Sequence, residues 1–338
     1  MKKLQDFKDE INKCSKCGLC QSVCPVYKET GNDCAVSRGK FVMLDGVLKG
    51  DLKLNKNINK YLDLCLKCGK CKDFCPSSID VCKIFETAKY EYMKSTLLGK
   101  IYFFLQSKLL RIKRLSPKLK STGTLKLLYF RGCVNNLFQN RILEKIPDIE
   151  IIEKDFECCG VPFLSSGNLE RFEEVKQHNI KMADCEFDYI LTDCASCEST
   201  LKQYLDAEFI SLGELIVRQG MKFKFPKPIK VTFHKPCHLE SDDFLKPLLA
   251  NCENVEYIEM KDYDACCGFA GEFAIKNHKL SMAISKKKAQ NIINTGADYV
   301  ITTCPACILG LNQGLMGKIK VLSLTDFILL ARAISLAR

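Results

Sequence analysis

The chain has 338 residues, 47% of them hydrophobic, with a formal net charge of +11 and 22 cysteines. That length accommodates two or three domains, and that composition supports an ordinary globular core. The N-terminal charges are not followed by an apolar stretch and no run approaches the roughly 18 apolar residues of a membrane span, so a cytoplasmic protein is expected.

In that compartment thiols stay reduced, and dense cysteines read as metal ligands rather than crosslinks. The positive charge is concentrated in residues 1–120, with 25 Lys/Arg against 12 Asp/Glu. No nucleic-acid-binding motif accompanies it, so no nucleic-acid partner is expected. The charge reads instead as compensation for anionic thiolate clusters.

Residues 1–92 contain C-x2-C-x2-C-x3-C-P twice, at Cys14, Cys17, Cys20 and Cys24 with Pro25, and at Cys65, Cys68, Cys71 and Cys75 with Pro76. Val36–Leu48 and Ile58–Leu64 have helical character, which predicts an all-helical ferredoxin domain. Three cysteines at three-residue steps wrap one face of a [4Fe-4S] cubane, and the fourth, before proline, ligates the other cluster. The expected sets are therefore Cys14, Cys17, Cys20 and Cys75 for one cubane, and Cys65, Cys68, Cys71 and Cys24 for the second. Gly18 and Gly69 follow the second cysteine of each motif and let the backbone close on the core. Zinc would need only paired C-x2-C.

Residues 93–120 carry eight Lys/Arg and no Asp/Glu. Within this linker, Leu98–Leu115 places Ile101, Leu105, Leu109 and Ile112 on one helical face, opposite Lys100, Arg111 and Arg114. Such a helix suits an anionic membrane surface and delivery to quinone. It equally suits a partner subunit or the protein's own domains.

Residues 121–338 form a tandem repeat, divided into 121–225 and 226–338. Leu125–Cys133 corresponds to Ile229–Cys237, and Asp188–Cys197 to Asp298–Cys307; each is a β-prone run ending in cysteine. The helix-like stretches Leu169–Asp184 and Leu280–Thr295 lie between these runs. Two α/β units with short, mainly parallel sheets follow, giving an α+β multidomain protein with ligands past the strand C-termini. The tail Leu324–Arg338, with Phe327, Leu330 and Ile334 at helical spacing, reads as a docked terminal helix.

Each repeat supplies five cysteines: Cys133, Cys158, Cys159, Cys194 and Cys197, then Cys237, Cys266, Cys267, Cys304 and Cys307. Five thiolates exceed zinc's four-coordinate habit, and adjacent ones can bridge a multi-iron site. Cys34, Cys82, Cys185 and Cys252 fall outside both patterns and read as small buried hydrophobes. His234 and His238 read equally as donors to cluster sulfur and as polar turn residues, while His178 and His278 read as surface. No G-x-G-x-x-G or P-loop is present. The chain therefore lacks a flavin or nicotinamide site of its own, and hydride chemistry belongs to another subunit.

Phe130-Arg131-Gly132-Cys133, Cys158-Cys159-Gly160, His234-Lys235-Pro236-Cys237-His238, Cys266-Cys267-Gly268-Phe269-Ala270-Gly271 and Cys304-Pro305-Ala306-Cys307 resemble the cysteine-rich CCG domains. Those domains occur in glycolate oxidase iron–sulfur subunits, heterodisulfide reductases and anaerobic glycerol-3-phosphate dehydrogenases. The resemblance spans essentially the whole chain. It implies an electron-transfer subunit of a 2-hydroxy acid (glycolate- or lactate-type) oxidoreductase, fed by a separate FAD-containing subunit and delivering to quinone or another acceptor. It also implies one or two non-cubane [4Fe-4S] clusters in the CCG domains, with zinc as the alternative metal. The competing implication is a disulfide or heterodisulfide reductase with a CCG cluster as its catalytic site. Where Lys235 stands the family often has Asp, so the surroundings of Cys237 are expected to differ.

Overall fold

The structure is a computed structural model and describes residues 2–109, 118, 119, 121–135, 142–331 and 333–336. Arg111, Ile112 and Arg114 of the amphipathic stretch lie outside the described residues. Two compact units form. One comprises Met1–Leu110, Gly160–Glu173 and Gly268–Ser285; the other comprises Arg111–Cys159, Glu174–Cys267 and Lys286–Arg338. In packing, both cysteine-rich repeats share one unit. The segment following each Cys-Cys-Gly belongs to the other.

The first unit is helical. Asn55 caps the helix Lys56–Asp63 through Asn57 N–H and Ile58 N–H, and Asp80 caps Val81–Ser95 through Lys83 N–H. These helices and Ser37–Lys49 bury Phe41, Leu44, Leu62, Ile84 and Phe85 in one core. An ion cluster explains why the later segments join this unit. Lys89 is 2% exposed, and its ammonium lies 2.7 Å from Asp63 and 2.8 Å from Glu272. It also donates to the Ser165 carbonyl at 2.7 Å. Lys276 reaches the same two carboxylates at 3.0 and 2.7 Å. Burial alone would raise the Asp63 and Glu272 carboxyls, but Lys89 and Lys276 more than offset it and hold both below the usual carboxylate range.

The second unit holds two sheets. Strands β1 (Leu125–Tyr129), β2 (Ile149–Ile152), β3 (Tyr189–Thr192) and β4 (Phe209–Ser211) are parallel in the order β2-β1-β3-β4. Strands β5 (Met221–Phe233), β6 (Cys252–Tyr257), β7 (Tyr299–Thr302) and β8 (Lys320–Ser323) repeat that order as β6-β5-β7-β8, also parallel. The inner strands β1, β3 and β7 are largely apolar, as a sheet covered on both faces requires, whereas β5 alternates buried apolar residues with exposed lysines until it reaches Val231–Phe233, which are all buried. In each sheet the order reverses at the central pair, β1/β3 or β5/β7, which is where open α/β sheets bind ligands.

The tail departs from expectation. Its helix stops at Leu329, and Ala333–Leu336 forms β9, antiparallel to Met221–Lys224 of β5. The N-terminal part of β5 runs beyond the reach of β7 and leaves a ladder of backbone groups open. Pairing that edge satisfies them.

Candidate metal centres

Eight ferredoxin-type cysteines gather at two pockets in the first unit. Cys14, Cys17, Cys20 and Cys75 line one, together with Cys71. Cys24, Cys65, Cys68 and Cys71 line the other, together with Cys82. Cys75 lines the pocket of the first triple and Cys24 that of the second. Gly18 and Gly69 adopt φ of +87° and +74° and begin the short helices that carry Cys20 and Cys71. These are left-handed conformations that side chains disfavour.

The donor chemistry fits an iron–sulfur group. Burial and the neighbouring sulfurs raise Cys71 to about 12, against a hydrogen bond from Ser37. A cationic centre removes that penalty by taking thiolates as ligands. Lys40, fully buried, donates to the Leu64 carbonyl at 2.8 Å and stacks over Phe85. Burial pulls its ammonium down, with Cys65, Cys24 and Cys71 opposing. Lys40, Ser37 and Cys82 were not legible as site residues. Lys40 and Ser37 sit on a helix between motifs, and Cys82 keeps no ligand spacing; its thiol is pushed up by burial, then by Cys65.

Four of the ten CCG cysteines follow the central strands, the C-x2-C partners Cys197 and Cys307 lie in the helices that begin there, and the Cys-Cys pairs lie in loops after the edge strands β2 and β6. Cys133 follows β1 and Cys194 follows β3, just as Cys237 follows β5 and Cys304 follows β7. Gly132 has φ +70°, and a Cβ there would come within 3.1 Å of Cys197 Sγ, so the turn carrying Cys133 closes tightly on the C-x2-C of its repeat. The Cys158 and Cys159 loop is fixed by its carbonyls, which accept from Asn179 at 3.0 Å and Tyr204 at 3.1 Å.

The two repeats meet at their C-x2-C turns, where Ala195 N–H donates to Thr303 O at 3.1 Å. A continuous run of interacting thiols results: Cys159, Cys197, Cys194, Cys304, Cys307 and Cys267. Cys237 and Cys266 form a further pair. Hydrogen bonding to Cys159, Cys266 and Cys267 pushes up Cys197, Cys237 and Cys307 respectively, and burial adds to each. So many sulfur donors facing one another suit a metal that takes them as thiolates, which is the observation that fits these residues to metal.

His234 is fully buried, and its ring nitrogen lies with Cys267 Sγ and Cys307 Sγ in a group whose atoms are all within 4.8 Å of one another. Burial, then Lys288, lowers its pKa to about 3. His238 Nδ1 pairs with Ser196 Oγ at 3.0 Å, and Ser196 reaches Cys304 Sγ at 3.5 Å. His178 is half-buried against the Asp155 carbonyl, and His278 is exposed. Cys252 is buried and bonds the Leu248 carbonyl, while Cys34 and Cys185 are half-buried. Lys235 pairs with Asp242 at 2.7 Å.

The helix Leu97–Leu109 buries Phe103 and leaves Leu97, Leu98, Ile101, Phe104, Leu105 and Leu109 exposed. Lys108 sits over the Phe104 ring. No helix among the described residues is long and apolar enough to cross a membrane.

Comparison with known proteins agrees with these centres. A cysteine-rich CCG domain family matches residues 127–202 and again 231–312. A 4Fe-4S dicluster domain family matches residues 10–79. A probable glycolate oxidase iron–sulfur subunit of Bacillus subtilis is 25% identical over 97% of this chain and 97% of its own length. One component of the dihydromethanophenazine:CoB–CoM heterodisulfide reductase of Methanosarcina acetivorans is 23% identical, over 90% of this chain and 89% of that one. A hypothetical protein from Helicobacter pylori shares the fold at a TM-score of 0.53 and 12% identity, across 87% of this chain and 66% of that chain.

Proposed function

We propose that this chain, a member of the iron–sulfur family that joins a 4Fe-4S dicluster domain to two CCG domains, carries electrons for a flavin-dependent 2-hydroxy acid oxidoreductase. A separate FAD subunit oxidises the hydroxy acid, and quinone or another acceptor takes the electrons. The carrying observation is the exchange of Cys24 and Cys75 between the two ferredoxin triples, which ties two one-electron centres into one helical core. Iron–sulfur groups, when bound, supply single-electron steps that split a flavin's pair. The protein's part is to present the thiolates, exclude water and balance charge, with Ser37 and Lys40 at the second cubane.

Cys71→Ser tests the route. In complex with the FAD subunit, the variant should reduce the flavin with substrate yet fail to pass electrons to the acceptor. Undiminished acceptor turnover would refute it.

The exposed face of Leu97–Leu109 docks on an anionic bilayer in this reading, supported by eight Lys/Arg and no Asp/Glu in residues 93–120. Ile101→Ser with Leu105→Ser should abolish sedimentation with phosphatidylglycerol vesicles; unchanged sedimentation would remove the membrane role. A second reading, reduction of a disulfide substrate, is favoured by the unbroken run of thiols from Cys159 to Cys267 across both repeats. Disulfide reduction by the isolated, metal-loaded chain with a chemical electron donor would establish it over the first.

A further inference from the structure

The two repeats place different rings at one position. His234 and Phe130 each stand three residues before the first cysteine of their repeat, at the end of a central strand. Both are fully buried. Each uses its backbone in the same way: His234 N–H donates to Ile301 O and Phe130 N–H donates to Leu191 O, both at 2.9 Å. Phe130 then packs its ring on Phe156, with centroids 5.1 Å apart. The fold therefore accepts an apolar ring here, and the imidazole is not a requirement of the scaffold.

His234 gains nothing comparable. Neither ring nitrogen makes a hydrogen bond of ordinary geometry, and the backbone carbonyl that approaches the ring, that of Tyr263, already accepts from Lys235 N–H at 3.1 Å. Burying an imidazole unsatisfied is costly, and such a group is retained where something else engages it. What lies beside it are two thiols, Cys267 and Cys307, at ligand-like separation. Resting on the reading that the CCG repeats hold metal, we propose that His234 is a nitrogen ligand of the second repeat's centre. It binds there alongside Cys267 and Cys307, while the first repeat's centre is ligated by sulfur alone.

The consequence is electronic. In this assignment His234 takes an iron position that a thiolate holds in the first repeat; the imidazole brings no negative charge there, and histidine nitrogen in place of sulfur raises the reduction potential of an iron–sulfur centre. The second repeat is then the better electron acceptor of the pair, so the thiol run between Cys159 and Cys267 has a downhill direction built into it.

The test uses the full chain, purified without oxygen and labelled with 15N-histidine. Pulsed EPR of the paramagnetic CCG centre should find a strongly coupled histidine nitrogen that changes between 14N and 15N samples. His234→Phe, which installs the first repeat's own residue, should lose that coupling and lower the potential of one CCG centre, with the ferredoxin signals unchanged. His238→Asn should keep the coupling. Iron in excess of two cubanes with no strongly coupled histidine nitrogen overturns the ligand assignment and leaves the electron-transfer reading standing. Coupling that survives His234→Phe overturns it as well. A chain whose iron is confined to the ferredoxin cubanes overturns both this assignment and the metal reading of the repeats.

Discussion

The two cysteine-rich repeats share strand order, cysteine placement and the backbone bond that pins the residue before each first turn, yet their side chains differ in ways the fold does not require. The first repeat stiffens its Cys133 turn with a buried Arg131–Glu153 pair, whose side chains are 6% and 4% exposed. The second replaces it with Lys235–Asp242, at 19% and 21% exposure. Phe130 faces an aromatic neighbour where His234 faces two thiols. Duplication thus separates scaffold from chemistry: what recurs holds the strands, and what diverges sits against the metal ligands. The same asymmetry extends to the anchoring segments. The segment after Cys267 is held by a buried ion cluster through Glu272, whereas the one after Cys159 is held by buried neutral hydrogen bonds, from Ser166 and Asn168 to Gln106 and from Asn168 to the Phe103 carbonyl, beside the Ser165 carbonyl and the exposed Glu170–Lys94 pair.

Removing the buried partner should separate the repeats most. Arg131→Met strips the guanidinium from buried Glu153, which still accepts from Leu119 N–H at 3.0 Å, and should cost about 3 kcal/mol, as breaking such pairs does. Lys235→Met should cost only about 1 kcal/mol, because its carboxylate remains partly hydrated. Denaturant unfolding of the metal-loaded chain measures both, and equal losses would break the comparison.

The anchors come next. Glu272→Gln should destabilise by about 3 kcal/mol, since it strips one of two carboxylates from buried Lys89. Glu170→Gln should fall below about 1 kcal/mol. Acid sharpens this contrast. The Asp63 and Glu272 carboxyls are depressed in the folded state, so their contribution is full above about pH 4, the unfolded carboxylate range, and is lost as pH falls through their folded values. Glu272→Gln should flatten the acid limb of the melting-temperature profile, and an unchanged limb would mean the cluster does not govern it.

The smallest effect belongs to the turns. Gly132→Ala forces a side chain into φ +70° and against Cys197, costing about 1–2 kcal/mol. It should also release metal from the first repeat. Pro236→Ala at the matching position should change stability by less than about 1 kcal/mol. Metal analysis after dialysis distinguishes the two.

Much of this was legible because cysteine spacing and strand periodicity are local. The triples at Cys14–Cys20 and Cys65–Cys71 declared their centres, and runs such as Leu125–Cys133 declared the strands that deliver cysteines. What stayed hidden depends on distant partners. The Lys89 cluster joins residues on four elements, and nothing near Asp63 or Glu272 announces it. Lys40 and Cys82 reach the second cubane pocket only through helix packing. The tail appeared helical from Phe327, Leu330 and Ile334, but the open edge of β5 decided otherwise for 333–336.

Iron, acid-labile sulfide and low-temperature EPR on anaerobically purified protein test the central claim most directly. The account predicts iron and sulfide beyond what two cubanes hold, with two interacting ferredoxin-type signals on reduction and at least one distinct centre assigned to the repeats. Zinc in place of iron, and no signal on reduction, would contradict it.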